Sequence, residues 1–141
     1  MAVSNGKPTI VLADDHSGML SKVSEVLGED FTIVAKVGDG RASIEAAIEF
    51  VPDILILDIA MPNMDGIQAA REIQRRQLKS KIIFLTVQED ADYVQTAHEM
   101  GASFVLKPKL HTDLLIAIKE VLRGKRFVSR LSASVSHPQP K

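Results

Sequence analysis

PDILILDIAMPNMDG, residues 52–66, is the stretch that decides the fold of this chain. It contains four consecutive apolar residues at 54–57, without the polar alternation of a half-exposed strand. Such a run is typical of a strand covered on both faces, as in a parallel sheet between two layers of helices. Asp58 follows directly, and Pro62 and Gly66 then turn the chain. Because ligands of open α/β sheets bind at the carboxyl ends of strands, Asp58 stands where a functional group is expected.

Taken alone, Asp58 has a simpler interpretation. An aspartate after a strand often accepts hydrogen bonds from its own loop or caps the next helix, with no role in chemistry. The rest of the sequence therefore has to favour one interpretation over the other.

The composition predicts one domain and excludes several classes of protein. The chain has 141 residues, 45% of them hydrophobic, which is enough for one core. A net charge of -1 gives no field that favours nucleic acid or an anionic membrane. The absence of cysteine excludes disulfides and thiolate metal sites. No signal peptide or run of about 20 apolar residues is present, so we expect a cytoplasmic protein without a membrane segment.

Strand and helix patterns alternate five times. Apolar runs predict strands at 9–13, 31–37, 54–57, 81–86 and 103–106. Apolar residues at helical spacing predict a helix after each strand, the last from Leu110 to a stop at Gly124. This alternation predicts an α/β fold, a flavodoxin-like (βα)5 doubly wound parallel sheet with strand order 2-1-3-4-5. Residues 1–7 are predicted to be a disordered leader, and residues 125–141 a flexible tail or truncated linker.

Three carboxylates meet at one crevice if this topology holds. Asp14 and Asp15 follow the first strand and Asp58 follows the third, its neighbour in the sheet. Two like charges about 4 Å apart repel by roughly 4 kcal/mol at an effective dielectric near 20, so the cluster needs a cation or a proton. Oxygen ligands without histidine or cysteine favour Mg2+. One of the adjacent pair could cap the following helix, but two acids facing a third are harder to explain as caps.

Two further side chains end strands at the same edge of the sheet. Thr86 closes the fourth strand and Lys107 closes the fifth. Each alone is an ordinary strand-end residue. Together with Mg2+, a hydroxyl and an ammonium are the groups that stabilise charge on a transferring phosphoryl group. A carboxylate among them, Asp58, can act as the nucleophile and form an aspartyl phosphate.

At these residues the chain resembles the response-regulator receiver domains of two-component signalling. Residues 8–124 carry the resemblance, which would make them the receiver domain. VLADDH and GKRFVSR at 124–130 most resemble the NarL/LuxR-type subfamily. The matching motifs are LADDH (12–16), ILDIAMPNMDG (56–66), FLT (84–86) and FVLKP (104–108).

The resemblance implies a metal site and a phosphoacceptor. Asp58 would accept a phosphoryl group from the phosphohistidine of a sensor kinase. Asp15 and Asp58 would bind Mg2+ directly and Asp14 mainly through water, while the backbone carbonyl of Ala60 would complete the protein ligands.

The resemblance also implies a switch. Lys107 would pair with the phosphoryl oxygens, and Thr86 would move to bond them. Phe104 would be the aromatic residue that rotates with Thr86 and changes the face formed by the fourth helix, the fifth strand and the fifth helix.

The implied partners are a sensor histidine kinase or phosphotransfer protein and, on phosphorylation, a second copy of the chain. Such a domain catalyses only its own phosphorylation and dephosphorylation and is not counted as an enzyme. Relatives usually continue into a helix-turn-helix output domain, for which the tail has no room. We therefore expect a stand-alone receiver or a piece of a longer regulator of transcription, with no direct DNA binding by this chain.

Three other functions fit the sequence less well. A haloacid-dehalogenase-type phosphatase would carry a second aspartate two residues after its nucleophile, where this chain has Ala60. A binding module that is never phosphorylated does not need the complete set of Asp14, Asp15, Asp58, Thr86 and Lys107. A flavin-binding protein would carry a Ser/Thr/Gly-rich phosphate loop after the first strand, which is not present here.

Overall fold

The computed structural model describes residues 6–131, and in this range five strands alternate with five helices. The strands are β1 (Thr9–Ala13), β2 (Thr32–Val37), β3 (Ile54–Asp58), β4 (Lys81–Thr86) and β5 (Ser103–Leu106). The helices are α1 (Ser17–Leu27), α2 (Gly40–Phe50), α3 (Gly66–Arg75), α4 (Ala91–Met100) and α5 (Leu110–Leu122). A single 3-10 turn, Lys107–Lys109, joins β5 to α5.

All neighbouring strands are parallel, and their order is β2-β1-β3-β4-β5. The flavodoxin-like fold and the strand order predicted from the sequence are therefore confirmed. Ala13 lies opposite Leu57 in the register of β1 and β3. This register brings the residues that follow β1 next to Asp58, which is the last residue of β3.

Two hydrophobic layers sandwich the sheet, and the alternation of side chains along β3 separates them. Leu55 and Leu57 face the layer formed with α2, α3 and α4, whereas Ile54 and Ile56 face the layer formed with α1 and α5. Every residue of β3 is buried. The unbroken apolar run at 54–57 is thus explained by burial on both faces, as the sequence indicates.

The chain after α5 differs from its prediction. Residues 125–131, assigned from the sequence to a tail or linker, lie along the outer edge of β5, where Val128 pairs in parallel with Phe104. Ser129 is fully buried and Leu131 nearly so. The sequence does not predict this contact, because a single bridged residue is too short to produce a periodic pattern. The rest of the predicted tail, 132–141, and residues 1–5 of the predicted leader lie outside the described residues.

Candidate functional site

Asp58 ends β3 in a tightly closed loop. Its side chain is only 4% exposed, and its Oδ1 accepts a hydrogen bond of 3.3 Å from the Ala60 N–H. Gly66 closes the loop by donating its N–H to the Ile59 carbonyl at 2.8 Å. A Cβ on Gly66 would lie 2.2 Å from the Asp58 carbonyl oxygen, so only glycine fits there. The loop therefore fixes the backbone of Asp58 and leaves its carboxylate at the carboxyl edge of the sheet.

Asp14 and Asp15 follow β1 and have different environments. The Asp14 N–H donates to the Val37 carbonyl at 3.0 Å, which extends the pairing of β1 with β2 by one residue. Asp14 Oδ1 accepts from the His16 N–H at 2.9 Å, and the side chain is nearly buried. The Asp15 side chain is 32% exposed. Asp14 is thus a fixed, buried carboxylate, and Asp15 is a more accessible one beside it.

Lys107 places its ammonium between two of these carboxylates. Lys107 Nζ lies 2.7 Å from Asp14 Oδ2 and 3.2 Å from Asp58 Oδ2, and its side chain is 8% exposed. The contact with Asp58 has hydrogen-bond geometry, whereas the contact with Asp14 is an ion pair without it. The ammonium therefore offsets part of the repulsion between the two buried acids.

The pKa of the Asp58 carboxyl is raised above its ordinary value of 3.8. Burial is the main cause and the charge of Asp14 adds to it, while Lys107 and the Ala60 N–H act in the opposite direction. A folded-state pKa above the unfolded value means that the folded chain binds the proton more tightly. The ionised Asp58 therefore costs stability, and this cost grows as pH rises from 3.8 through the folded-state pKa.

The donor atoms fit a hard divalent cation. Single ligand atoms of Asp14, Asp15, His16 and Asp58 all lie within 4.8 Å of one another. Within residues 6–131, the buried Asp14 Oδ2 has no hydrogen-bond partner, and it is in contact with the Lys107 ammonium as an ion pair. Three carboxylates match the preference of Mg2+ for oxygen. The predicted ligand Ala60 lines the same cavity as Asp58.

Thr86 and Lys107 line a cavity of about 310 Å³ beside Asp58. The predicted catalytic set of Asp58, Thr86 and Lys107 is thus brought to one place. Thr86 is buried, and its Oγ1 accepts a hydrogen bond of 3.3 Å from the Gln88 N–H. Val87, at the mouth of the cavity, is 63% exposed.

Phe104, the predicted switch partner of Thr86, is fully buried in β5. Phe104 pairs with Phe84, and Leu106 pairs with Thr86, so the two switch residues lie on adjacent strands, two positions apart in register. Their proximity agrees with the prediction, and the coupled motion itself stays a prediction.

The sequence reasoning missed the position of the His16 side chain. His16 is the N-cap of α1, and its side chain makes no capping hydrogen bond. Its ring Nδ1 nevertheless lies 3.1 Å from Asp15 Oδ1 and 3.3 Å from Asp14 Oδ1. The two preceding acids were the available signal, because a side chain at an N-cap can reach back to the residues before it.

The chain is similar to known proteins along most of its length. The model of the "Response regulator receiver domain" family matches residues 10–119. The transcriptional regulatory protein DegU of Brevibacillus brevis is 32% identical over 129 residues, which cover 89% of this chain and 55% of DegU. The nitrate/nitrite response regulator protein NarL of Escherichia coli K12 is 31% identical over 131 residues, covering 90% of this chain and 61% of NarL. The chain thus spans little more than half the length of these curated relatives.

Solved structures of receiver domains are also similar to this chain. The signal receiver domain of the putative response regulator NarL from Mycobacterium tuberculosis superposes with a TM-score of 0.79 at 28% identity, covering 84% of this chain and 98% of that one. The isolated REC domain of RcsB from Salmonella enterica serovar Typhimurium was determined with the phosphomimetic BeF3-. It superposes with a TM-score of 0.81 at 27% identity, covering 89% of this chain and 95% of the REC domain.

Proposed function

Because the chain belongs to the response regulator receiver domain family, with relatives of the NarL/LuxR type, we propose that Asp58 is its phosphoacceptor. The observation that carries this proposal is the placement of Lys107 Nζ 3.2 Å from a buried Asp58 that lines a cavity. A buried carboxylate beside a fixed ammonium is poised to receive a group whose oxygens need a cation.

The transfer proceeds by attack of an Asp58 carboxylate oxygen on the phosphorus of a phosphohistidine. The new O–P bond forms as the P–N bond breaks, and the leaving imidazole nitrogen keeps the electron pair and takes a proton from water. Lys107 is already at the acceptor and pairs with the phosphoryl oxygens as their charge arrives. Because the donor supplies the reactive bond, the chain would act on its own carboxylate and not as an enzyme on other substrates.

Asp14, Asp15, Asp58 and the Ala60 carbonyl would hold Mg2+. When bound there, the ion would neutralise charge on the incoming phosphoryl group and draw its oxygens toward Asp58. Backbone N–H groups of the loops that follow β1 and β3, those of His16 and Ala60, hold the carboxylates of Asp14 and Asp58 in place, so the site needs little reorganisation.

Asp15→Ala is expected to weaken Mg2+ binding by about tenfold, because it removes one of the three carboxylates. Melting temperatures measured across a Mg2+ titration would report the change. Asp30→Ala is the matched control, since Asp30 is an exposed acid beside the opposite end of the sheet. An equal Mg2+-dependent rise in melting temperature for Asp15→Ala and the parent would contradict the assignment.

The phosphoryl group would switch the face of α4, β5 and α5 through Thr86 and Phe104. Within residues 6–131, the one hydrogen bond of the Thr86 hydroxyl is the long one that it accepts from the Gln88 N–H, so the hydroxyl can turn to donate to a phosphoryl oxygen. Space vacated by Thr86 would change the packing of the Phe104 ring.

Thr86→Ala is expected to leave phosphorylation of Asp58 largely intact and to reduce its effect on this face by at least half. The measurement is NMR of the backbone amides in residues 90–115, with and without beryllofluoride as the phosphoryl mimic. If Thr86→Ala gave the same mimic-induced shifts as the parent, the switch would not run through this residue.

The proposed partners are a sensor histidine kinase or phosphotransfer protein and a second copy of the chain. One related RcsB structure contains dimers bound to DNA. For this chain we propose that DNA contact requires an output domain outside the given sequence. Among the helices described, none has the length and apolarity to cross a bilayer, and we propose that the chain works in the cytoplasm.

Incubation with acetyl phosphate tests the proposal. With Mg2+ the parent chain should gain one phosphoryl group that is stable in acid and labile in base, and with a chelator it should gain none. A label that forms equally well with the chelator, or that resists base, would contradict the proposed chemistry.

A further inference from the structure

The outer edge of β5 is closed by the segment 125–131. The Phe104 N–H donates to the Phe127 carbonyl, and the Ser129 N–H donates to the Phe104 carbonyl, both at 2.9 Å. β5 has only four residues, so these bonds satisfy polar groups that would otherwise be left at a sheet edge. At the amino end of β5, the Phe127 N–H donates to Ser103 Oγ at 3.0 Å.

At the carboxyl end of β5, the contact between the strand and the segment 125–131 is made by one side chain, that of Ser129. The Leu106 N–H donates to Ser129 Oγ at 3.1 Å, and the Ser129 hydroxyl donates to Asp113 Oδ2 in α5 at 2.6 Å. Ser129 is fully buried. The hydroxyl is thus both acceptor and donor, and it joins the last residue of β5 to the first turns of α5.

These contacts lie on both sides of Lys107 in the chain. Leu106, directly before Lys107, is held by Ser129, and the Lys109 ammonium, two residues after it, donates to the Arg130 carbonyl. The chain around Lys107 is therefore attached to the segment 125–131 through the Leu106 backbone on one side and through the Lys109 side chain on the other. Leu106 is also the register partner of Thr86.

We propose that Ser129 is a positioning residue for Lys107, and that it couples the phosphoacceptor site to the segment 125–131. The inference rests on the proposed function of Asp58. A bond that fixes the backbone beside Lys107 limits where its ammonium meets the phosphoryl oxygens, and small misplacements of such a group slow a reaction strongly. The same placement of Lys107 sets how tightly a phosphoryl mimic binds at Asp58, and for this binding free energy reciprocity requires that the bound mimic changes how firmly the segment is held.

Ser129→Ala removes the hydroxyl and leaves the two backbone bonds to Phe104 in place. Its rate of phosphorylation by acetyl phosphate at saturating Mg2+ is expected to fall about tenfold, with the final stoichiometry unchanged. In the parent, beryllofluoride should shift the backbone amides of residues 126–131, and in Ser129→Ala these shifts should be lost. Because Ser129→Ala removes a buried hydroxyl, Asp113→Asn serves as a second variant, which keeps Ser129 and weakens the acceptor of its hydroxyl, together with the exposed bond from Thr112.

Two serine variants serve as matched controls. Ser43→Ala removes another fully buried hydroxyl, one that donates to the Gly40 carbonyl in α2. Ser103→Ala removes the contact of the same segment at the other end of β5. Both should be phosphorylated within about twofold of the parent rate.

The inference would be overturned if Ser129→Ala and Asp113→Asn were folded, were phosphorylated at the parent rate and kept the beryllofluoride shifts in 126–131. It would also be overturned if Ser103→Ala slowed phosphorylation as much as Ser129→Ala, because the effect would then come from docking of the whole segment. Absence of any label on the parent would instead contradict the proposed function, and this inference with it.

Discussion

Replacing Asp58 by asparagine is expected to abolish phosphoryl transfer to this chain. The asparagine side chain has nearly the same shape as that of aspartate, but its amide is not a nucleophile and cannot form the acyl phosphate. Labelling by acetyl phosphate with Mg2+ should fall to about 1% of the parent or less, a loss of at least about 3 kcal/mol in transition-state stabilisation. Asp30→Asn makes the same chemical change at an exposed acid outside the site and should be labelled like the parent.

The same substitution has a second expected effect, on stability. Because the pKa of Asp58 is raised by burial and by Asp14, removing its charge should raise the metal-free free energy of unfolding at pH 7. The gain should be complete above the folded-state pKa and should vanish as pH falls below 3.8. Urea unfolding in a chelator at several pH values measures it. A gain that is larger in acid would contradict the electrostatic account of the site.

Gly66→Ala is expected to lower the free energy of unfolding by about 3 kcal/mol or more. The added Cβ would lie 2.2 Å from the Asp58 carbonyl oxygen and 3.0 Å from the Ile59 Cα, both backbone atoms that cannot rotate away. Either β3 or the start of α3 must then move, so phosphorylation should slow as well. Urea unfolding and the labelling rate would measure the two effects.

Gly18→Ala is the matched control for this variant. A Cβ on Gly18 would meet no atom within 4 Å, and Gly18 lies in the first turn of α1. The substitution should leave stability unchanged or raise it by up to about 1 kcal/mol, because alanine favours the helix. If Gly66→Ala were as stable as Gly18→Ala, this would contradict the close approach of Gly66 to the backbone of Asp58 and Ile59.

The sequence predicts those parts of the site that depend on the hydrophobic pattern of a strand and on the rule that functional groups lie at the carboxyl ends of parallel strands. The apolar run at 54–57 indicates a buried strand, and five strand–helix alternations imply that β1 and β3 are neighbours. Those two inferences place Asp14, Asp15 and Asp58 at one crevice without any coordinates. Thr86 and Lys107 follow from the same rule, since Thr86 ends β4 and Lys107 directly follows the neighbouring β5.

The sequence could not predict contacts that depend on side-chain reach or on one partner far along the chain. The ion pair of Lys107 with Asp14 is one example, because many side-chain conformations of lysine suit the end of a strand. The docking of 125–131 is another, since its bonds go to Phe104 and Leu106, and nothing local to the segment encodes that pairing. Gly66 was recognised as a turn residue, but its approach to Asp58 depends on how α3 packs against β3.

The central claim is that one carboxylate, Asp58, receives the phosphoryl group. Reduction of the phosphorylated chain with borohydride converts an acyl-phosphorylated aspartate to homoserine, and peptide mass spectrometry then locates it. The account predicts homoserine at position 58 alone, formed only when the phosphodonor and Mg2+ are both present. Homoserine at 14 or 15, or a phosphoryl group found on a histidine, would contradict it.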